Sequence, residues 1–129
     1  MEFGKYVLIA FGGAAGAVAR FVLASAGQRL TDSNFPLGTL IVNVAGCAAI
    51  GVAAAVLAGP SFGREDQRLL LVVGFLGAFT TFSAFGFETF SLLAERAWWS
   101  AFANVAISNV AGLFAVWLGY RLTLVVQGG

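Results

Sequence analysis

The sequence has 129 residues, of which 60 % are hydrophobic and only 10 % are charged, and its formal net charge is +1. Soluble globular domains carry about 25 % charged residues, so this composition argues against a soluble enzyme, and its hydrophobicity argues against a disordered chain. The sequence contains no histidine and one cysteine, Cys47, which excludes histidine-based metal or acid–base chemistry and an internal disulfide. Nothing in the charge suggests a nucleic-acid partner, which would require a basic patch.

Long uncharged segments predict four membrane-spanning helices. About 20 residues are needed to cross a hydrocarbon core at 1.5 Å per residue. We predict helices at about 4–27, 36–59, 67–94 and 98–124, forming one transmembrane domain over 1–129. The fold class is therefore all-α, a multi-pass integral membrane protein in a lipid bilayer. Four helices leave little room for a shielded polar path, and the sequence shows no internal repeat, so transport would require a second subunit.

Helix 1 contains a charge, Arg20, inside its apolar run. A charge within a span is costly and is a functional hypothesis by default, although the long side chain can also reach the interface. At the mouth of a pathway, a cation attracts anions. The remaining basic residues give only a weak preference for one orientation under the positive-inside rule. One side of the membrane carries four of them and the other carries two, or three when Arg20 is counted. They are Lys5, Arg64, Arg68 and Arg121 against Arg29 and Arg96.

Helix 2 carries Thr39 and Asn43, which are four residues apart and share one face. Gly38 and Gly46 lie close to that face and would let another backbone approach. An asparagine must find hydrogen-bond partners within a membrane. Two interpretations stay open, namely that Asn43 joins two helices or that it donates to a permeating anion.

Helix 3 is predicted to break near 77–81, where Gly77 is followed by Thr80 and Thr81. A break frees backbone carbonyls, which at membrane depth must be satisfied by protein, water or an ion. Phe82 and Phe85 follow, three residues apart and on one face. Such a stripe usually packs in a core, but the edge of an aromatic ring is electropositive and can stabilise an anion in a narrow path.

Two further polar features lie near the ends of the spans. Glu88 follows Phe85 by three residues and lies either at the membrane interface or at the mouth of a path. In helix 4, Asn104 and Ser108 are four apart and share a face, which Gly112 continues. This stripe lines a path or joins helices, and the spacing alone does not distinguish the two.

Three segments in order resemble the Fluc (CrcB) family of small fluoride channels: GGAAGAVAR at 12–20, PLGTLIVN at 36–43 and GFLGAFTTFSAF at 74–85. The resemblance covers the whole chain and its four-helix layout. It implies a fluoride-selective channel that exports F⁻ passively down its gradient. It also implies an antiparallel, dual-topology homodimer with two pores and a structural Na⁺ at its centre, in the inner (plasma) membrane of a prokaryote.

The resemblance also assigns roles to individual residues. It places the sodium on the backbone carbonyls of Gly77 and Thr80, and Arg20 and Glu88 at a vestibule or mouth. Asn104 lies on the polar track of helix 4, where some members carry an aromatic residue such as Tyr. The implied fluoride pore consists of Asn43, Phe82, Phe85, Ser108, Asn104, Thr39, Thr81 and Ser83.

The alternative transport function is that of a small multidrug-type antiporter, which exchanges protons for cations and is also a four-helix, dual-topology dimer. Those proteins need a carboxylate within helix 1, whereas helix 1 here has none after Glu2, and Arg20 would repel a cation. A purely structural membrane subunit would not explain Arg20, Asn43 and the two phenylalanines together. We expect no enzymatic activity, since the sequence shows no buried carboxylate pair and no nucleophile beside a base.

Overall fold

The computed structural model describes residues 2–58 and 64–128, and every regular element in these two ranges is helical. Four stretches are long and apolar enough to span a membrane, at Glu2–Gln28, Leu37–Val56, Arg64–Ala94 and Trp98–Val126. The predicted all-α fold with four membrane-spanning helices is confirmed. The elements are α1 (Glu2–Gln28), α2 (Leu37–Val56), α3 (Arg64–Gln67), a π-helical segment (Arg68–Leu76), α4 (Gly77–Phe79), α5 (Phe82–Ala94) and α6 (Trp98–Val126).

The helix ends differ from the predicted ones by a few residues. Helix 2 ends at Val56 rather than 59, and the Arg64 guanidinium donates to the Val56 carbonyl at that end. The third span begins at Arg64 rather than 67, because Glu65 and Asp66 suit the positive end of a helix dipole. Residues 1, 59–63 and 129 of the predicted domain, including the predicted last residue of helix 2, lie outside the described residues.

Close backbone contacts pair the helices. α1 lies against the π-helical segment, and α2 lies against α6. A Cβ added at Gly16 would overlap the carbonyl of Phe75, and one at Gly119 would overlap that of Ala48. Without a hydrophobic driving force between helices in lipid, such small-residue contacts are a main source of helix association. They pair α1 with the first half of the third span, as far as α4, and they pair α2 with α6.

The third span is interrupted between α4 and α5. Thr80 has φ −84° and ψ 157°, and Thr81 has φ −149° and ψ 114°, so both residues are extended. The Thr80 N–H and hydroxyl each donate to the Leu76 carbonyl at 3.0 Å, which ends α4. The Ala84 N–H donates to Thr81 Oγ1 at 3.1 Å, which caps α5. The two extended residues lie within the range 77–81 in which the sequence indicates a break.

The π-helical geometry of Arg68–Leu76 is a feature that the sequence analysis did not predict. π-Helical turns are rare and occur mostly within α-helices near functional sites. Nothing in the apolar run of this segment distinguishes it from an ordinary α-helix. Together with the interruption at Thr80 and Thr81, it means that the third span departs from α-helical geometry over much of its first half.

Candidate functional site

Two grooves collect most of the candidate residues around the interruption of the third span. The first groove has a volume of about 440 Å³ and lies between α2, the interruption, α5 and α6. The second groove lies between α1, α2 and the start of α5. Thr81 lines both, so the interruption forms part of the wall between them. The first groove contains Asn43, Gly77, Thr80, Thr81, Phe82, Phe85 and Ser108, and the second contains Arg20, Thr39, Thr81 and Ser83.

Asn43 ties α2 to the interruption through both ends of its amide. Its Nδ2 donates to the Thr81 carbonyl at 3.0 Å, and its Oδ1 accepts from the Thr81 N–H at 2.8 Å. This pair replaces hydrogen bonds that the backbone would otherwise make within a helix. A primary amide has two N–H groups, so Asn43 keeps one donor beyond this pair while lining the first groove.

The interruption leaves several carbonyl groups, among them those of Gly77 and Thr80, without the N–H that a continuous helix would supply. The Thr81 N–H, which would reach the Gly77 carbonyl, donates to Asn43 instead. The Ala84 N–H, which would reach the Thr80 carbonyl, donates to Thr81 Oγ1. Carbonyl oxygens of unwound helix segments are the ligands with which membrane proteins coordinate Na⁺. The resemblance assigns Gly77 and Thr80 to sodium, and their carbonyl oxygens are ligands of the kind that fit such an ion.

The two candidate pore phenylalanines form a pair at the start of α5. Their ring centroids are 5.5 Å apart with planes tilted by 41°. Both rings line the first groove. Phe82 is 83 % exposed in the single chain, whereas Phe85 is partly buried. The Phe82 ring therefore contributes little to packing within the protomer, and its edge is available to another molecule.

Thr39 and Glu88 form a second polar connection between α2 and α5. The Thr39 hydroxyl donates to Glu88 Oε1 at 2.7 Å. The other carboxylate oxygen, Oε2, is buried and has no hydrogen-bond partner among the described residues. Thr39 also lines the second groove together with Arg20, so the carboxylate lies behind a wall of that groove. Glu88 itself lines neither of the two grooves.

Asn104 and Ser108 are brought together, as their spacing predicts, but they face different surroundings. The Ser108 hydroxyl lines the first groove and donates to Asn104 Oδ1 at 3.3 Å. Asn104 is only 2 % exposed and donates to Thr89 Oγ1 at 2.9 Å. The Thr89 hydroxyl in turn donates to the Phe85 carbonyl at 2.7 Å. Thr89 was not among the predicted residues, although its position four residues after Phe85 places it one turn along the same face.

The chain matches a family model described as "CrcB-like protein, Camphor Resistance (CrcB)" over residues 7–120. The chain belongs to the CrcB family. The family suggested by the three sequence segments is confirmed, and the matched range includes every candidate residue from Arg20 to Ser108.

Three relatives of this CrcB-family chain carry the same name. This chain is 46 % identical to the fluoride-specific ion channel FluC of Solibacter usitatus over 118 residues, which cover 92 % of this chain and 97 % of that protein. This chain is 45 % identical over 119 residues to FluC of Methylobacillus flagellatus, and the aligned residues cover 92 % of this chain and 93 % of that protein. It is 43 % identical over 115 residues to FluC of Hydrogenovibrio crunogenus, covering 89 % and 87 %.

Proposed function

We propose that this CrcB-family chain is a fluoride-selective ion channel, a membrane protein without enzymatic activity that passes F⁻ down its gradient. Relatives of nearly full coverage are named fluoride-specific ion channels. The observation in the structure that best supports the proposal is the first groove, in which Asn43, Ser108 and two phenylalanine rings surround one space.

The chemistry of that groove suits fluoride. A small anion gives up tightly held water only where donors and positive edges replace it, and conduction requires that binding stay weak enough for release. Asn43 keeps a free N–H, Ser108 offers a hydroxyl, and the ring edges of Phe82 and Phe85 supply positive potential without full charge. We assign Thr39, Thr81 and Ser83 as further hydroxyls along the second groove. The resemblance also assigns Asn104 to the pore, but Asn104 lies behind Ser108 and lines neither groove.

We assign Arg20 and Glu88 to the mouth of the pathway. Arg20 lines the second groove, where its charge would attract anions. Glu88 is connected to the same groove through Thr39. With four spanning helices the protein is a multi-pass membrane protein, and we propose the inner (plasma) membrane of a prokaryote as its location, where it would export fluoride.

We further propose an antiparallel, dual-topology homodimer with two pores. The first groove is open along one side of the single chain, and the Phe82 ring at its edge is 83 % exposed. A second chain would enclose this groove. The weak charge bias between the two ends of the bundle supports insertion in both orientations.

A structural Na⁺ fits the interruption of the third span. The carbonyls of Gly77 and Thr80 would hold it, with the same pair from the second chain. The ion would bind these two oxygens in place of the N–H groups, which donate elsewhere. Asn43 and Thr81 hold the interruption in the extended conformation that exposes the two carbonyls.

The antiporter function is not supported. Small multidrug antiporters need a carboxylate embedded in the first helix, whereas after Glu2 the charged residues of α1 are Lys5 and Arg20. The relatives that match this chain are named as channels.

The direct test is efflux from liposomes that contain the purified protein, read with a fluoride electrode and repeated with chloride. We expect fast fluoride release without any proton requirement and little chloride release. The same vesicles prepared with K⁺ in place of Na⁺ test the sodium assignment, for which we expect loss of conduction with the protein still folded. Absence of fluoride release from well-folded protein would contradict the proposed function, and unchanged release without Na⁺ would contradict only the sodium site.

A further inference from the structure

Asn104 is the one fully buried polar side chain in the described ranges 2–58 and 64–128. Both polar atoms of its amide have partners, Thr89 through Nδ2 and Ser108 through Oδ1. At 2 % exposure it lines neither groove, so no surface remains through which an ion could contact it. A polar group buried at membrane depth needs partners within the protein, and each polar atom of the Asn104 amide has one in the protomer.

The bonds of Asn104 continue to two residues of the first groove. Ser108 lies on α6 and Phe85 lies on α5, and both line that groove. The hydrogen bonds run from the Ser108 hydroxyl to Asn104, from Asn104 to Thr89, and from Thr89 to the Phe85 carbonyl. We call these four residues the α5–α6 hydrogen-bond chain. It links the two walls of the groove from behind.

Within the single chain, α5 has little buried surface, so such bonds contribute more to its position than they would in a well-packed helix. Leu92 is its one buried residue. Among the described residues, the bond between Asn104 and Thr89 is the one side-chain hydrogen bond that joins α5 to α6. A loss of that bond would therefore leave the distance between Phe85 and Ser108 set by few other contacts.

Resting on the proposed function, we propose that Asn104 is a positioning residue rather than a fluoride ligand. It fixes α5 against α6 through Thr89, and it is the acceptor that holds the Ser108 hydroxyl proton when no anion is present. The bond from Ser108 is 3.3 Å long, well beyond the usual O–H···O length of about 2.7–2.8 Å. An anion in the groove can therefore replace Asn104 Oδ1 as the acceptor of the Ser108 hydroxyl at small cost. Asn104 keeps its hydrogen bond to Thr89 meanwhile.

A double-mutant cycle with a rescue variant tests the role. The variants are Asn104→Leu, Thr89→Val, their combination, and Thr89→Ser, which keeps the hydroxyl. The control is Ser91→Ala on the same helix, because its hydroxyl bonds only the Phe87 carbonyl at 3.0 Å. Fluoride efflux is measured per amount of folded dimer from gel filtration, so that lost folding is separated from lost conduction.

We expect Asn104→Leu and Thr89→Val each to lower efflux roughly three- to tenfold, the range that interhelical hydrogen bonds in membranes provide. The loss in the double variant should be smaller than the product of the two single losses, because both changes break the bond between Asn104 and Thr89. Thr89→Ser and Ser91→Ala should conduct as the unaltered protein does. Three results would overturn the positioning role of Asn104. They are a double variant whose loss equals the product of the two single losses, unchanged efflux in both single variants, and a Thr89→Ser variant as slow as Thr89→Val.

A spectroscopic measurement covers the case in which the variants do not fold. In the unaltered protein with ¹⁵N-labelled asparagine side chains, solid-state NMR should detect a ¹⁹F contact at Asn43 but none at Asn104 on addition of fluoride. A fluoride contact at Asn104 would overturn the proposal. The two proposals fail differently, since absence of efflux from the unaltered protein contradicts the channel itself, whereas normal efflux in the variants contradicts only the positioning role.

Discussion

Before its interruption, the third span packs backbone to backbone against α1, whereas after the interruption α5 is held by side-chain hydrogen bonds. In the first half, Gly12 and Gly16 lie so close to the third span that an added Cβ would overlap its carbonyls. In the second half, the connections are three polar pairs: Thr81 with Asn43, Glu88 with Thr39, and Thr89 with Asn104.

The difference shows how scaffold and pathway are divided in this protein. Close backbone contacts between small residues hold two helices at a fixed distance. Hydrogen bonds are directional, so they set the orientation of α5, which carries Phe82 and Phe85. We therefore expect changes in the first half to affect folding and changes in the second half to affect conduction at nearly constant folding.

The largest effect is expected for Gly16→Val in the first half. The added side chain would overlap the Phe75 carbonyl, and overpacking of this kind costs about 1–3 kcal/mol or more. The measurement is the yield of monodisperse protein and its melting temperature in detergent. Gly13→Ala is the matched control, because its nearest neighbour would be 4.0 Å from the added Cβ. Normal yield and melting temperature for Gly16→Val would contradict the packing described for α1.

Asn43→Leu tests the connection at the interruption itself. The change removes two hydrogen bonds and leaves the Thr81 N–H and carbonyl unpaired, each at a cost of about 1–3 kcal/mol when buried. Thr81 is only half-buried and lines both grooves, so water offsets much of this cost. We therefore expect fluoride efflux to fall more than about tenfold and the melting temperature to fall by less than in Gly16→Val. Asn109→Leu sharpens the result, since Asn109 lines the same groove but bonds only the Val105 carbonyl of its own helix, at 2.7 Å. An equal loss in both variants would show that groove polarity, not the connection to Thr81, is responsible.

Phe82→Ile separates conduction from stability most cleanly. The ring is 83 % exposed, so the protomer should lose little stability, whereas the electropositive ring edge in the first groove is removed. We expect fluoride efflux to fall by about two- to tenfold, taking the ring-edge contact as similar to the about 0.5–1.5 kcal/mol of an aromatic pair. Phe87→Ile is the control, because Phe87 is 69 % exposed on the same helix and lines neither groove. Unaltered efflux in Phe82→Ile would remove this ring from the pathway.

The sequence predicts the four spans and the place of the interruption, because charge spacing and the run Gly77 to Thr81 carry those signals directly. It also predicts that Asn104 and Ser108 share a face, which is a matter of helical period. It does not predict that Ser108 faces the groove while Asn104 is buried, since that depends on how α5 packs against α6. The π-helical geometry of Arg68–Leu76 was missed because the apolar run RLLLVVGFL carries no signal that distinguishes it from an ordinary α-helix.

The smallest effect is expected for Thr39→Val, which removes the hydrogen bond to Glu88 Oε1. Interhelical bonds of this kind in membranes are worth about 0.6 kcal/mol on average, and the Glu88 carboxylate would lose its one partner among the described residues. The melting temperature should therefore fall slightly. Thr123→Val is the matched control, because the Thr123 hydroxyl bonds only the Gly119 carbonyl of its own helix, at 2.8 Å. If both variants melt together, the Thr39 bond does not hold α5, and the other two polar pairs fix its orientation alone.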